Sequence, residues 1–385
     1  MGRFRFLIAA PVALACAAAA PAATPPPPPE AAAIPHALLV DLGSGRTLYA
    51  RAADQPFLPA STAKIMTAMV AFDLIDAGKL RRDTLFQISE ATARQWSGQG
   101  TTLWLQPGER VTVDTLLKGI TIVSANDGAV ALAEGYAGDL PTFLMLMNAE
   151  ARRLGMSRSR FGTPNGLPDG GFTVVTARDM ARLGAALIDR HPALYRTYFG
   201  QPAFQWRGAE YRNRDPLLGR VAGADGIKTG HTNEAGYNFV GSAQRDGRRL
   251  LVVIGGAPSN ADRGAAARAL IEWGFGQWRA RPLFAKGATV GSARVQEGTA
   301  RSLALVAGQA AYATLPAGGQ SRIALKLSYR GPLVAPVAKG AHVADLGILV
   351  DGRPAGSVPL LAAVSVARAG PLDRLVNGIA GWLPW

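Results

Sequence analysis

Residues 59–77 read PASTAKIMTAMVAFDLIDA and contain a long helical pattern that starts near Ser61 and runs to Ala77. Apolar side chains occur on every side of this helix instead of forming one stripe, which indicates a helix buried at the centre of a domain. Lys64 falls in the first turn, where an isolated buried charge would be costly. The segment therefore predicts a central helix that begins with a serine and carries a lysine in an apolar setting.

The segments on either side of this helix show strand and helix patterns. Before it, LLVDL and TLYA, joined by a Gly-Ser-Gly turn, predict a β-hairpin. After it, helical patterns cover Val113–Tyr136, Pro141–Leu154 and Thr176–Ile188. Strand patterns follow in GIKTG, YNFVGSAQ and RRLLVVIGGA, and a last helix is predicted over Asn260–Trp273. Strands, then helices, then strands again favour an α+β domain with an antiparallel sheet.

The N-terminus has the pattern of a secretory signal peptide, predicted over residues 1–23. Arg3 and Arg5 precede an apolar run that is too short to span a membrane, and small residues follow it. Cys16 is the single cysteine and lies inside this leader, so the mature chain is expected to need neither a disulfide nor a thiolate metal site. Lipidation of Cys16 is a second interpretation, although Ala13 stands where lipoprotein signals favour leucine.

The rest of the chain divides by composition. Residues 24–33 are a proline-rich linker, and residues 34–278 form the main α+β domain. Between 279 and 368, short β-type runs broken by glycine and proline predict a small all-β domain. Residues 369–385 place apolar side chains at helical spacing. They predict an amphipathic helix that either packs on the β-domain or lies in a membrane interface.

Composition and charge exclude several classes of protein. The chain is 48% apolar, which excludes a disordered protein, and its formal net charge is +14. Such a surface favours anionic neighbours such as acidic lipids or cell-wall polymers. We expect no nucleic-acid partner, because export argues against one and the sequence shows no recognition motif. No metal or organic cofactor is expected, since the four histidines lack the spacing of metal ligands.

Three short motifs carry the candidate chemistry. In the first, Ser61 and Lys64 are three positions apart and face the same side of a helix, so the lysine can reach the hydroxyl. A serine needs such a base to become a nucleophile, and burial of the lysine would favour its neutral form. Alone, the pair is more simply interpreted as a helix-capping serine with a solvated lysine.

The second motif is Ser124-Ala125-Asn126 and the third is Lys228-Thr229-Gly230-His231. Ser124 would relay a proton to a leaving amine, unless it only caps the next helix, and Asn126 would bind substrate backbone. Lys228 and Thr229 suit a substrate carboxylate, and Gly230 permits close approach of substrate backbone. The alternative for the third motif is an edge strand with a protective lysine. The occurrence of all three motifs in this order points to catalysis.

The chain resembles the penicillin-binding protein family of serine acyltransferases, specifically the low-molecular-weight D-alanyl-D-alanine carboxypeptidases. The resemblance rests on PASTAKIMTAMV, SANDGAVALAE, TARDMA and GIKTGHTNEAGYNFVGSA, and it extends to the β-domain and the tail. It implies a penicillin-binding/β-lactamase-like transpeptidase domain with a five-stranded antiparallel sheet. It also implies that Ser61 forms an acyl-enzyme and that Lys64 is its base. Ser124, Asn126 and Lys228 are implied to complete the network that moves protons and binds substrate. Thr229 is implied to hold the terminal carboxylate. The backbone N–H groups of Ser61 and His231 are implied to form the oxyanion hole.

The same resemblance implies a substrate, inhibitors and a location. The substrate would be the peptidoglycan pentapeptide, from which the terminal D-alanine is removed, and β-lactams would be covalent inhibitors. The protein would be periplasmic, with its C-terminal helix attached peripherally to the inner membrane. Two alternatives stay open: D,D-endopeptidase or weak transpeptidase action on the same fold, and a catalytically silent module that binds the cell wall.

Two residues depart from the pattern of the family. Ala125 stands where many relatives carry glycine, and Asn165, in FGTPNGLPDGG, stands where relatives often carry histidine. A class A β-lactamase shares the three motifs but releases its acyl group with a glutamate between the second and third. Residues 152–175 contain no glutamate, and their single acidic residue is Asp169. Penicillin is therefore expected to inhibit this protein and to be released slowly.

Overall fold

The antiparallel sheet predicted for the main domain has five strands. In the computed structural model, which describes residues 24–318 and 320–370, these are β1 (His36–Asp41), β2 (Arg46–Arg51), β7 (Ala224–Thr232), β8 (Gly236–Arg245) and β9 (Arg248–Ala257). Their order is β2-β1-β9-β8-β7, so the strand that contains GIKTG forms one edge. Every pairing is antiparallel, which confirms the predicted fold class.

Helices cover both faces of this sheet. One face packs against α8 (Asn260–Gly276). The other packs against a helical region that contains α1 (Lys64–Asp76), α2 (Glu90–Trp96), α3 (Val113–Lys118), α4 (Asn126–Ala137), α5 (Leu140–Arg153), α6 (Ala177–Arg190) and α7 (Pro192–Tyr198). Two short hairpins complete the domain: β3 (Leu85–Gln87) with β4 (Arg110–Thr112), and β5 (Ala203–Trp206) with β6 (Ala209–Arg212). Leu38 and Leu39 belong to different cores, because successive side chains of a strand point to opposite faces.

The central helix is buried on all sides, as its composition predicts. Every residue of α1 from Lys64 to Phe72 is buried. The α-helix begins later than predicted, because Ala60–Ala63 forms a 3₁₀ turn in front of it. Ser61 therefore lies in a short turn at the entrance of the helix, while Lys64 is its first α-helical residue.

The single helix predicted over Val113–Tyr136 is wrong, because the chain breaks within it. A π-helical turn, Gly119–Val123, follows α3, and Ser124 then adopts the left-handed conformation with φ of 76°. Ser124 does not cap α4 either, since the N-cap residue is Ala125. The residues on both sides of the break are buried, so the apolar pattern continues through it and does not indicate where the helix ends.

The C-terminal part is all-β, as predicted. Its strands are β10 (Trp278–Phe284), β11 (Thr289–Gln296), β12 (Ser302–Ala307), β13 (Ala311–Pro316), β14 (Ile323–Ser328), β15 (Leu333–Val334), β16 (His342–Val350) and β17 (Arg353–Ala362). Six of them form a sheet in the order β14-β16-β17-β12-β11-β15, and β10 pairs with β13. Small apolar clusters form the core of the domain, and one of them joins β13 to β16 and β17.

A buried polar network joins the two domains. The Oδ2 atom of Asp41 accepts hydrogen bonds from Arg248 Nε at 2.7 Å and from Thr314 Oγ1 at 2.8 Å. The hydroxyl of Thr314 also lies 2.7 Å from that of Ser44, and Arg248 Nη1 donates to the carbonyl of Trp278 at 2.8 Å. Asp41, Ser44 and Thr314 are completely buried. Such a network gives the domain contact a specific geometry, because each buried polar group requires its partner.

Two of the predicted segments lie outside the described residues: the signal peptide at 1–23 and the C-terminal helix from 371 onward. Within the described ranges, no helix is both long and apolar enough to cross a membrane.

Candidate active site

The turn that carries Ser61 is held by bonds to distant segments. The backbone of Ala60 has φ of 48°, a conformation that alanine rarely adopts. Asn238, on β8, donates from Nδ2 to the carbonyl of Leu58 at 3.0 Å, which ties this segment to the sheet. Gly166 packs against Ala60 so closely that a Cβ at 166 would lie 1.9 Å from the carbonyl oxygen of Ala60. Backbone strain held in this way is typical of functional sites.

Lys64 contacts the hydroxyl of Ser61 and two further oxygens. Its Nζ atom lies 2.9 Å from Ser61 Oγ, 2.6 Å from Asn126 Oδ1 and 2.6 Å from the backbone carbonyl oxygen of Asn165. Burial, and then the positive charge of Lys228, hold the pKa of Lys64 well below its usual range. A neutral amine has two N–H bonds and one lone pair. If the two N–H bonds point to Asn126 and Asn165, the lone pair faces the hydroxyl of Ser61.

The second motif brings two more side chains to the same place. Ser124 is 8% exposed and lines the same cavity as Ser61. Asn126 bridges Lys64 and the loop that closes one side of the cavity, because its Nδ2 donates to the carbonyl of Gln99 at 2.7 Å. The backbone N–H of Asn126 donates to the carbonyl of Thr101 at 2.8 Å. The left-handed turn at Ser124 thus allows both residues of the motif to contact the site.

The third motif lies on the edge strand β7. Lys228 is buried, so it is not a protective lysine on an exposed edge, and its Nζ donates to the carbonyl of Thr229 at 2.8 Å. Burial, followed by the charges of Arg214 and Arg263, lowers the pKa of Lys228 to about 7. A Cβ at Gly230 would lie 2.9 Å from the backbone nitrogen of Ser61. Glycine is therefore required where β7 passes the turn of the candidate nucleophile.

These residues surround one cavity of about 440 Å³. Of the eight predicted site residues, six line it and two, Lys64 and Lys228, are buried behind its wall; the six are Ser61, Ser124, Asn126, Thr229, Gly230 and His231. The ring of His231 stacks on that of Tyr237 with centroids 3.9 Å apart.

Two arginines of the cavity were not predicted from the sequence. Arg263, on α8, is 5% exposed, and Arg214 reaches Thr101 Oγ1 at 3.3 Å. Burial lowers the pKa of Arg263 to about 10, so it stays charged at neutral pH. The sequence offered one signal for Arg263, which is an arginine within the helical segment NADRGAAARAL. Arginine is rarely buried without a partner, so a buried position there would indicate a binding role. Together with Lys228, these arginines suit an anionic group.

The departure at Asn165 does not remove a contact to Lys64. The contact comes from the backbone carbonyl, while the side-chain Oδ1 accepts from the N–H of Leu167 at 3.0 Å. The loop that Asn165 belongs to is also tied to α1, since Thr67 Oγ1 donates to the carbonyl of Pro164 at 2.5 Å.

The arrangement has the parts that acyl transfer by a serine requires. It combines a nucleophile with a base at hydrogen-bond distance, a second hydroxyl in the same cavity and cations for a substrate anion. Among the residues that the structure describes, no group of three or more His, Cys, Asp or Glu side chains could hold a metal ion.

Comparison with known families gives two matches along the chain. Residues 21–259 match the family of D-alanyl-D-alanine carboxypeptidases, and residues 278–368 match the C-terminal domain of penicillin-binding protein 5. The two matches follow the division into an α+β part and an all-β part.

Individual proteins agree with this result. The chain is 32% identical over 341 residues to D-alanyl-D-alanine carboxypeptidase DacA of Haemophilus influenzae, covering 88% of this chain and 86% of that protein. Penicillin-binding protein 5 from H. influenzae superposes with a TM-score of 0.73 at 31% identity, covering 90% of this chain and 100% of that one. Ampicillin-bound penicillin-binding protein D2 from Listeria monocytogenes gives 0.55 at 30% identity, over 63% of this chain and 97% of that one. The chain therefore belongs to the D-alanyl-D-alanine carboxypeptidase family of low-molecular-weight penicillin-binding proteins.

Proposed function

We propose that this protein removes the terminal D-alanine from peptidoglycan pentapeptide stems through an acyl-enzyme on Ser61. The observation that carries the proposal is the position of the Lys64 amine, which lies 2.9 Å from Ser61 Oγ and has carbonyl oxygens as its other two neighbours. As the amine takes the proton of Ser61, Oγ attacks the carbonyl carbon of the D-Ala-D-Ala bond. The leaving D-alanine takes a proton at its amine nitrogen, and water then hydrolyses the ester.

The remaining site residues are assigned by their positions around this bond. Ser124 shares the cavity with Ser61 and relays the proton to the leaving amine. The backbone N–H groups of Ser61 and His231 would stabilise the oxyanion, and Thr229 would bind the terminal carboxylate. Arg263 supports this assignment, because a buried cation in the same cavity favours a carboxylate.

The proposal extends to covalent binding of β-lactams, which present an acylating carbonyl to the same serine. The similar Listeria protein has been solved with ampicillin and with cefotaxime bound. No glutamate occurs between 152 and 175, the segment in which a class A β-lactamase would carry its deacylating base. We therefore expect rapid acylation by penicillin and slow release.

Labelled penicillin tests the nucleophile. Mature protein should take up one equivalent of label, and Ser61→Ala should take up none while keeping its thermal unfolding midpoint. Ser159→Ala is a matched control, because that serine donates to Asp179 and lies outside the cavity. Equal labelling of wild type and Ser61→Ala would refute the assignment.

Two substrates separate carboxypeptidase from endopeptidase and transpeptidase action. A defined pentapeptide should release D-alanine, whereas a cross-linked peptide dimer should remain uncleaved. Cleavage of the dimer would make the protein an endopeptidase, and peptide products longer than the substrate would indicate transpeptidation. A protein that labels with penicillin but processes neither peptide would contradict the proposed reaction.

We assign the protein to the periplasm, peripherally attached to the inner membrane through residues 369–385. Charge distribution supports the proposal: residues 279–368 carry 11 Lys and Arg against 3 Asp and Glu. The chain leaves this domain at a tip where Gly298 pairs with Arg368 and Val337 pairs with Val366. Val334 and Val364 are 57% and 55% exposed there, which suits an interface with acidic lipid.

Fractionation tests this location. Deletion of residues 370–385 should release active protein into the soluble periplasmic fraction. Membrane association that persists after the deletion would refute the anchor. A second variant, Arg330→Glu with Lys339→Glu, reverses two exposed cations on either side of β15. It should weaken binding to vesicles that contain phosphatidylglycerol and leave penicillin labelling unchanged.

A further inference from the structure

Trp104 is exposed to solvent on the loop that also lines the active-site cavity. It is 55% exposed, while the residues on either side, Leu103 and Leu105, are each 1% exposed. The backbone N–H groups of both neighbours donate to the buried carboxylate of Asp127, at 2.9 and 3.1 Å from Leu103 and at 3.1 Å from Leu105. Because the two leucines are held inward in this way, the tryptophan between them points outward.

The backbone of Trp104 is strained in this position. Its φ is 57°, a region that bulky side chains rarely adopt. The conformation is held by two side chains that donate to its carbonyl oxygen, Arg207 Nη1 at 2.8 Å and Gln106 Nε2 at 2.9 Å. A Cβ at Gly98 would lie 3.2 Å from the indole ring, so glycine leaves room for it. Several distant groups thus stabilise an exposed tryptophan, which singles it out from an ordinary exposed apolar side chain.

The same loop forms a wall of the catalytic cavity. Gly100 and Thr101 line that cavity, and Trp104 follows three residues later, which places its backbone within about 11 Å of the wall. Polar side chains lie at the backbone of this residue, because Arg207 and Gln106 donate to its carbonyl oxygen and Arg207 also pairs with Glu109 at 2.5 Å. These three side chains form a polar rim beside the exposed tryptophan.

We propose that Trp104 stacks on a sugar ring of the glycan strand that carries the peptide stem. The inference rests on the proposed function, and it specifies that the preferred substrate is a glycan-linked stem instead of a free peptide. A pyranose ring offers an apolar C–H face to an indole and hydroxyl and amide groups to a polar rim. The four stem residues between the scissile bond and the sugar span at most about 14 Å, which exceeds the maximum reach of about 11 Å along the chain from the cavity wall to Trp104.

Paired substrates test the proposal. Trp104→Ala should lower kcat/KM roughly three- to tenfold for a glycan-linked pentapeptide, through KM, and should leave the free pentapeptide unchanged. Trp104→Phe should recover part of the loss. Met145→Ala, which removes an exposed apolar side chain on α5 outside the cavity lining, is the control and should change neither substrate.

Equal losses on both substrates would overturn the proposal, because they would indicate a role in peptide binding or loop structure. No loss on either would also overturn it. Binding of the two ligands to the Ser61→Ala variant needs no turnover and keeps the test independent of the reaction. If the wild-type protein turned over neither substrate, the proposed function would fail. The sugar site would still be supported if the double variant Ser61→Ala, Trp104→Ala bound the glycan-linked ligand more weakly than Ser61→Ala did and bound the free pentapeptide equally well.

Discussion

The amine of Lys64 lies 2.6 Å from the backbone carbonyl oxygen of Asn165, a residue 101 positions away in the sequence. With the contact to Asn126, this gives the lysine two oxygen acceptors and leaves Ser61 as its third neighbour. These contacts orient the amine towards the serine, which is the preorganisation that its proposed role as general base would require. Because the acceptor is a backbone carbonyl, this contact does not depend on which side chain residue 165 carries.

The pH dependence of acylation should report the charge of Lys228 on Lys64. Burial is the larger cause of the lowered pKa of Lys64, and Lys228 is the next. Lys228→Met removes that positive charge, so the pKa of Lys64 should rise and the acid limb of the penicillin acylation profile should move to higher pH. Stopped-flow acylation at a series of pH values measures the shift. Lys79→Met, at an exposed lysine, should not move the limb, and an unmoved limb in Lys228→Met would contradict the coupling.

Asp127→Asn should loosen the loop that carries Gln99 to Leu105. The carboxylate of Asp127 is completely buried and accepts from the N–H groups of Leu103, Leu105 and Gly128. An amide keeps only one acceptor oxygen, so at least one buried donor loses its partner at a cost of about 1–3 kcal/mol. We expect a lower free energy of unfolding and slower penicillin acylation, since Asn126 contacts the same loop. Asp139→Asn, at an exposed helix cap, is a control that should leave acylation unchanged.

The interdomain network should be sensitive to the loss of either buried partner. Asp41→Asn leaves Arg248 without its carboxylate, and a broken buried ion pair typically costs about 3–5 kcal/mol. Thr314→Val removes one hydrogen bond to the same carboxylate and should cost less, about 1–3 kcal/mol. Chemical denaturation followed by tryptophan fluorescence measures both. If Asp41→Asn were as stable as the wild type, the network would not hold the domains together. Asp54→Asn, which breaks an exposed ion pair with Arg178, is the control and should have little effect on the free energy of unfolding.

His191 should make stability depend on pH. Its ring nitrogens contact Asp76 at 2.6 Å and Asp73 at 3.0 Å, at the C-terminal end of α1, and Arg190, Glu150 and Arg153 complete the cluster. Burial alone would lower the pKa of His191, but the hydrogen bonds to Asp73 and Asp76 outweigh it and the pKa is raised.

The sign of this effect follows from the raised pKa. The charged histidine contributes its full stabilisation below the ordinary pKa of about 6.5, and the contribution is lost as pH rises through the higher folded value. The difference in unfolding free energy between wild type and His191→Gln should therefore be larger at pH 6 than at pH 9. Denaturation at both pH values measures it, with exposed His342→Gln as the control. A difference that grows with pH would contradict the assignment.

Local patterns in the chain predicted much of the fold and part of the site. The apolar run of α1 predicted a buried helix, and helical spacing placed Lys64 next to Ser61. The strand patterns around Lys228 predicted β7, β8 and β9. These features depend on side-chain periodicity within a few turns, which the order of residues contains directly.

Other features depend on packing between segments that are far apart in the chain. The break at Ser124 lies inside a continuous apolar pattern, and its left-handed turn forms where the surrounding core holds both sides in place. Arg263 enters the cavity because α8 packs on β8, and the carbonyl of Asn165 reaches Lys64 through a loop. Periodicity reports which face of an element is buried but carries no information about which distant segment covers it. Ser61 and Lys64 could therefore be paired from the sequence, whereas the second and third neighbours of that lysine followed only from the tertiary fold.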